Sequence, residues 1–592
     1  MVFSGKSSSA APASYEEWVA LAEKTLKGAS LDSLDHTTED GIKFPALMTS
    51  ADRPQASHGM MGDHLSSRAA RHWVIAQYLE ASDDAQTLNK MILDEVEGGA
   101  ERIIFTLDQS PQNVAASMDG VMADAISISF DAPADPDVAL AALVQIWTDQ
   151  KTDPNLARGH LGIDVLSGMM RDMADVDASA SRLDAIISGV VPLALAWPKL
   201  GIFTCGGASL HRAGLTPAEE IAGNLSHMAG LLRALEAHGH APNDLAKAIE
   251  IQIAMDADLY GNIAKARAMR LVMDKLYGAV GIAGDGLSGR LHGVTSDRML
   301  TRIDRETNML RSGTAMLAMA LAGLGVISAL PHDWLVGSTA KSRRIARNTH
   351  HVLADEAQLN HVADPAQGSY FIDAATAKLA EKSWQLFQAL EAEGGVFAPA
   401  GMKLLQAWAS AAIAARSKAI NQGRDALLGI TMHPTRDNIT PNDKMLDCVI
   451  GQAGPRGGAH RPAAIWEELR SKFQLIQMRC LMLDVGSGGH APHNISASSA
   501  SRWFAAVGVD GVVMAAKDHD EATAVLTSAR PDVLVLGGNA EIDKELQEVI
   551  DKLGSAMVIP AAAFAPTGEE DISALLHEVL AETALKNKGG RA

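Results

Sequence analysis

The chain has 592 residues, long enough for more than one hydrophobic core, since single cores stop growing at roughly 250–300 residues. Its 51 Lys and Arg stand against 71 Asp and Glu, a net charge of −20, which argues against a nucleic-acid-binding protein, since that needs a basic face. Three widely spaced cysteines, Cys205, Cys448 and Cys480, form no paired framework and read as reduced thiols of a cytoplasmic protein.

The first residues, Met1 to Ser14, are small and polar without an apolar signal core. Tyr15, Trp18, Leu21, Ala22 and Leu26 then recur at helical spacing up to Gly28, predicting an amphipathic helix with a glycine C-cap. With so little chain before the main domain, a partner subunit is a place to bury that stripe.

From residue 46 to 400, strand-like and helix-like runs alternate. Strands are predicted at Arg102–Leu107, Ala125–Ser129, Gly162–Val165, Pro192–Trp197 and Ile202–Thr204, and helices at Pro217–Leu235 and Asp244–Met255. Alternation of this length fits a (β/α)8 barrel with any site at the strand C-termini. The longest apolar run, Ala315–Leu330, is interrupted by Gly323 and Gly325 and is shorter than the roughly 20 residues a bilayer requires, so no membrane span is expected.

Residues 401–475 read as a mixed helical linker with a Gly/Pro/Arg cluster at Gly454–Gly458. Residues 476–592 read as a smaller doubly wound α/β domain. A strand, Met478–Val485, runs through a glycine-rich turn, Gly486–His490, into a helix near Asn494. Further strands are expected at Asp532–Leu536 and Ala556–Pro560. The predicted organisation is therefore an N-terminal arm (1–45), a barrel (46–400), a linker (401–475) and a flavodoxin-like terminal domain (476–592).

Several blocks carry a resemblance. Leu26-Lys-Gly-Ala-Ser-Leu-Asp-Ser-Leu34, Asp40-Gly-Ile42 and Pro45-Ala-Leu47 lie in the arm. Ser342–Thr349, Val362–Tyr370 and Leu379–Lys382 lie late in the barrel. Over nearly its whole length the chain resembles the methylmalonyl-CoA mutase family. The resemblance implies an isomerase of propionate metabolism that uses adenosylcobalamin to interconvert (R)-methylmalonyl-CoA and succinyl-CoA by radical rearrangement.

The family's site motifs are degraded here. Its Arg-Pro-Trp-Thr-x-Arg-Gln-Tyr corresponds to Arg71–Tyr78, which keeps Arg71 and Tyr78 but has Val74 for Thr and Ala76 for the second Arg. The next segment brings in Glu80. The His that hydrogen-bonds the thioester carbonyl is replaced by Ser209, with His211 two residues on. Gln-Ser-Leu-His-Thr becomes Gly325–Ala329, with His332 a candidate replacement beyond it.

In the terminal domain, the cobalt-ligating Asp-x-His-x-x-Gly reads Gly488–His493. His490 is kept, but its orienting carboxylate is Gly488 and the required glycine is His493. Ser-x-Leu has become Gly537-Gly538-Asn539, and the Gly-Gly after the fourth strand is Ala561-Ala562-Ala563.

Intact fold blocks with broken site motifs look like the smaller, non-catalytic chain of a heterodimeric mutase. On that reading Arg71, Tyr78 and Ser209 are vestigial. No metal is bound unless cobalamin engages His490. The cofactor sits on a homologous large catalytic chain. Two alternatives stay open: a competent acyl-CoA mutase with a diverged pocket, and a regulatory module docking the mutase's G-protein chaperone.

Overall fold

The computed structural model describes residues 14–589 except 55–72, 107–108, 173–175, 283–290, 363, 436–459, 477, 486–494, 538–543, 554–556 and 565–570. Arg71, His490, the turn containing it, Asn539 and Cys448 therefore lie outside the described residues.

Eight parallel strands close into a barrel in the order β10-β3-β4-β5-β6-β7-β8-β9. They are β3 (Val74–Leu79), β4 (Arg102–Phe105), β5 (Ser127–Phe130), β6 (Gly159–Ile163), β7 (Leu200–Gly206), β8 (Ile249–Met255), β9 (Leu291–Thr295) and β10 (Val326–Ser328). A two-stranded hairpin, β1 (His36–Thr37) and β2 (Lys43–Phe44), precedes them. Alternation along each strand divides the barrel residues. Ile75, Ile103, Phe105, Ile128, Phe203, Ile251 and Ile253 join the main core, while the intervening positions line the interior.

The surrounding helices start where capping chemistry allows. Pro136 and Pro217 occupy first turns, and the Asp84 and Asp135 side chains accept from Thr87 and Val138 backbone N–H groups. Buried ions bolt the ring together. Glu95, on helix Ala85–Glu97, accepts from Arg343 Nε (3.2 Å) and from Arg347, both on helix Ala340–His351. Arg267 binds Asp364 and, at 2.9 Å, Asp373, tying helix Leu259–Ala279 to helix Tyr370–Ala392. The blocks Ser342–Thr349 and Val362–Tyr370 thus supply Arg343, Arg347 and Asp364 to buried ion pairs.

Three expectations are corrected. Pro192–Trp197 is not a strand: helix Val176–Ala194 runs into it, and Pro192 sits within the helix. Asp244–Met255 is not a helix. Only Pro242–Leu245 and Ala246–Ala248 are helical, and Ile249–Met255 is β8, whose Ile-Glu-Ile-Gln-Ile alternation has the two-residue period of a strand. The strand expected at Gly162–Val165 begins earlier, at Gly159, and Val165 already opens the helix Val165–Asp172. Gly162 lies at an irregularity in the β6–β7 register with φ +66°, where a Cβ would fall 1.9 Å from the Phe130 carbonyl oxygen.

The first helix is Tyr15–Thr25, ending three residues before Gly28, and none of its side chains is buried. A separate parallel sheet is ordered β12-β11-β13-β14: β12 (Gly511–Ala516), β11 (Cys480–Val485), β13 (Val533–Gly537) and β14 (Met557–Pro560). On β11, Cys480 and Met482 pack with helices Ala464–Gln474, Ile495–Ala506 and Ile572–Gly589. Leu481, Leu483 and Val485 pack against His519–Ala529 and Lys544–Leu553. The first of these clusters also contains Ile303, Ile420 and Ile430, and there Trp466 stacks on Trp503 at 5.0 Å.

Candidate functional site in the barrel interior

Glu250 and Arg102 meet across the interior. They stand on β8 and β4, four places apart in a ring of eight, and so on opposite walls. Arg102 Nη1 is 2.5 Å from Glu250 Oε2, Nη2 is 3.2 Å from Oε1, and Nε donates to Ser129 Oγ on β5 at 2.9 Å. On β9, His292 Nδ1 is 3.0 Å from Glu250 Oε1, so that nitrogen is the donor, leaving Nε2 to accept from Ser328 Oγ on β10 at 2.7 Å. On β6, His160 Nδ1 accepts from Gly162 N at 2.8 Å.

Burial opposes ionisation of Glu250, but the Arg102 guanidinium, helped by the hydrogen bond from His292, holds its carboxyl well below the usual range. His160 is pushed down to about 4, chiefly by burial, which outweighs the opposing charge of Glu250.

A second layer lies above. Gln252 Nε2 on β8 donates to Tyr78 Oη on β3 at 3.0 Å. The Tyr78 ring packs edge-on against Trp334, with centroids 6.1 Å apart, in a cluster with Ala76, Ile104, Val294, Leu300 and Leu330. Tyr78 is 2% exposed and Arg102 6%. The two layers place buried, mutually bonded side chains across the barrel interior. Ser328, His292 and Glu250 follow one another as nucleophile, base and acid would. Ser328 is fully buried, however, and Glu250 is paired with Arg102.

At the strand C-termini the other expected site residues are engaged in structure. Ser209 lies on helix Gly207–Arg212, and its hydroxyl donates to Ser167 Oγ, whose own proton goes to the Asp164 carboxylate. His211 is buried, with Nε2 2.8 Å from Ser296 Oγ and Nδ1 3.4 Å from Glu220. Burial, then Arg298 and Lys265, push it well below its ordinary value, so it is neutral. Glu80 accepts from Ser338 N (3.1 and 3.3 Å) ahead of helix Ala340–His351. His332 sits in the turn past β10, its carbonyl accepting from Asn308 Nδ2 at 2.9 Å, while the position of the family's His is taken by Ser328 in the strand.

The mouth is also pinned by the chain itself. Glu467 accepts from Arg302 N (2.6 Å) and from Arg461, Arg461 donates to the Leu300 carbonyl, and His460 N donates to the Arg212 carbonyl. A groove of about 800 Å³ lined by Arg267, Lys275 and Trp384 lies outside the barrel wall, between helices Leu259–Ala279 and Tyr370–Ala392. Among the described residues no three His, Cys, Asp or Glu side chains gather as a metal site, and no helix is long and apolar enough to cross a membrane.

Sequence reasoning brought Tyr78, Ala76 and Ser209 to the barrel's inner face and mouth. It missed Arg102, Ser129, His160, Glu250 and His292. The available signal was polar residues at alternate positions of otherwise apolar strands, as in Ile249–Met255.

A family model described as methylmalonyl-CoA mutase matches residues 109–448. The chain is 28% identical over 528 residues to the methylmalonyl-CoA mutase small subunit of Streptomyces virginiae, covering 84% of this chain and 83% of that protein. It is 28% identical to the probable methylmalonyl-CoA mutase small subunit of Mycobacterium tuberculosis (89% and 86% covered). It is 24% identical to the methylmalonyl-CoA mutase of Rhizobium meliloti (91% and 80%). With a closed parallel barrel, a separate parallel sheet and a family match spanning more than half its length, the chain belongs to the methylmalonyl-CoA mutase family.

Proposed function

We propose that this chain is the non-catalytic subunit of a heterodimeric, adenosylcobalamin-dependent methylmalonyl-CoA mutase, and that it assembles with and stabilises a homologous large chain that carries out the rearrangement. The observation that carries this is the Arg102–Glu250 pair spanning the barrel interior, with Gln252 and Tyr78 layered over it. An acyl-CoA needs an open, water-excluding space beside the reacting atoms. Here that space is filled by paired charges whose separation would leave each buried and uncompensated.

The residues do not fit the cofactor. His490 lacks the carboxylate that would orient its imidazole, since Gly488 stands there, and loss of such a partner typically costs about 10- to 100-fold in affinity. No step is therefore assigned to cobalamin on this chain, and the cofactor belongs to the partner. The relatives named as small subunits support pairing with a larger chain. On the same reading residues 1–45 form an arm, 46–400 the barrel domain, 401–475 a linker and 476–592 a flavodoxin-like domain kept for packing. Tyr15 and Leu21, both exposed on the first helix, face the partner.

Cobalt analysis of the co-purified complex tests this. One cobalamin per heterodimer, unchanged by His490→Ala, is expected. Two per heterodimer, falling to one in that variant, refutes it. Corrin absorbance on the chain purified alone would favour a competent mutase instead.

A further inference from the structure

The strand β12 ends the small sheet. Along its whole length it pairs on one side with β11, and among the described residues no strand pairs with its other side. Its side chains are exposed to an extent its neighbours are not. Val512, Val513 and Met514 are 57%, 50% and 39% exposed, whereas their register partners Leu481, Met482 and Leu483 are at most 2% exposed. Natural edge strands are normally blunted by a charge, a proline or a covering loop. Gly511–Ala516 contains neither a charge nor a proline. Charges stand only at its ends, Asp510 before it and Lys517 after it, both exposed.

We propose that β12 pairs antiparallel with β12 of a second copy of this chain, joining two four-stranded sheets into one of eight strands. An antiparallel pair on a two-fold axis normal to the sheet must set one residue opposite its own copy, because opposed side chains share a face. Centring the axis on Val513 sets Val513 against Val513 and Val512 against Met514 on both sides of it. The three exposed apolar residues then cover one another, and each Asp510 lies at the Lys517 end of the other strand. Centring it on Met514 would set Asp510 against Asp518, placing like charges together.

The sequence is therefore complementary to itself in one register, which covers its three exposed apolar residues and sets no like charges opposite one another. That complementarity favours a second copy over an unrelated strand. Six paired residues bury less than the roughly 1,200–2,000 Å² of a standard interface, so the association is concentration-dependent. It goes beyond the heterodimer, since it joins two of them through their small chains.

Sedimentation equilibrium of the full complex over a wide concentration range reads this. A species of twice the basic mass is expected at high concentration and should be lost in Val513→Lys, with turnover retained. In parallel, Val513→Cys under mild oxidation should give a covalent pair of this chain that the wild type does not give, and Val512→Cys should give far less. A mass unchanged by Val513→Lys, or no covalent pair from Val513→Cys, overturns the proposal. So does release of the large chain by Val513→Lys, which would show that the large chain holds this edge. If no large chain co-purifies yet the Val513-dependent pair persists, the pairing stands and the heterodimer reading fails.

Discussion

Arg102 and Glu250 form a two-point ion pair across the barrel, with Nη1 2.5 Å from Oε2 and Nη2 3.2 Å from Oε1, from strands on opposite walls. Removing one partner of such a buried pair costs more than removing both, because the survivor keeps its charge without compensation. Glu250→Gln should therefore destabilise the chain by about 3–5 kcal/mol, while Arg102→Met combined with Glu250→Leu should cost much less. Urea unfolding of the three proteins checks this. Equal losses in the single and double variants would mean the pair is not the organising contact of the interior.

Acid should weaken the fold through two histidines. His227 is buried, neither ring nitrogen has a hydrogen-bond partner, and burial pushes it down to about 3. His160 is at about 4. Both folded values lie below the unfolded value of 6.5, so on acidification the unfolded chain takes up protons before the folded one. The stability these neutral rings allow is fully present above pH 6.5. It falls as the pH drops towards 4 for His160 and 3 for His227. Each contributes about 1.4 kcal/mol per pH unit in that window. Between pH 7.5 and 5, His227→Leu should lose about 2 kcal/mol less than the wild type. Parallel slopes in the two proteins would contradict this.

Glu467 latches the helix Ala464–Gln474 to the segment after β9 through Arg302 N and Arg461. Glu467→Gln removes the charge both donors share. It should speed proteolytic cleavage between the barrel and the small sheet several-fold, with barrel unfolding unchanged. Unchanged cleavage would assign the docking to the Trp466–Trp503 stack instead.

Much of the architecture could be read from the residues. The strands around Arg102, Ser127, Phe203, Cys480 and Val533 and the helix at Pro217 follow from apolar periodicity and first-turn proline. Local pattern failed where tertiary context decided. Pro192–Trp197 is apolar enough for a strand but continues a helix, and the polar members of Ile249–Met255 are explained only by charged partners on other strands. Tyr78 and Ser209 were found by motif. The groups that fill the interior were not, because Arg102 and Glu250 lie 148 residues apart and nothing local links them.

Tyr78 gives the most direct test of whether this barrel performs chemistry. The family resemblance implies that the Tyr of this motif stands beside the radical of a working site, and here its hydroxyl accepts from Gln252 among buried side chains. Turnover of the assembled complex with Tyr78→Phe in this chain should match that of the wild type. A loss of orders of magnitude with the assembly intact would show that this barrel takes part in the reaction.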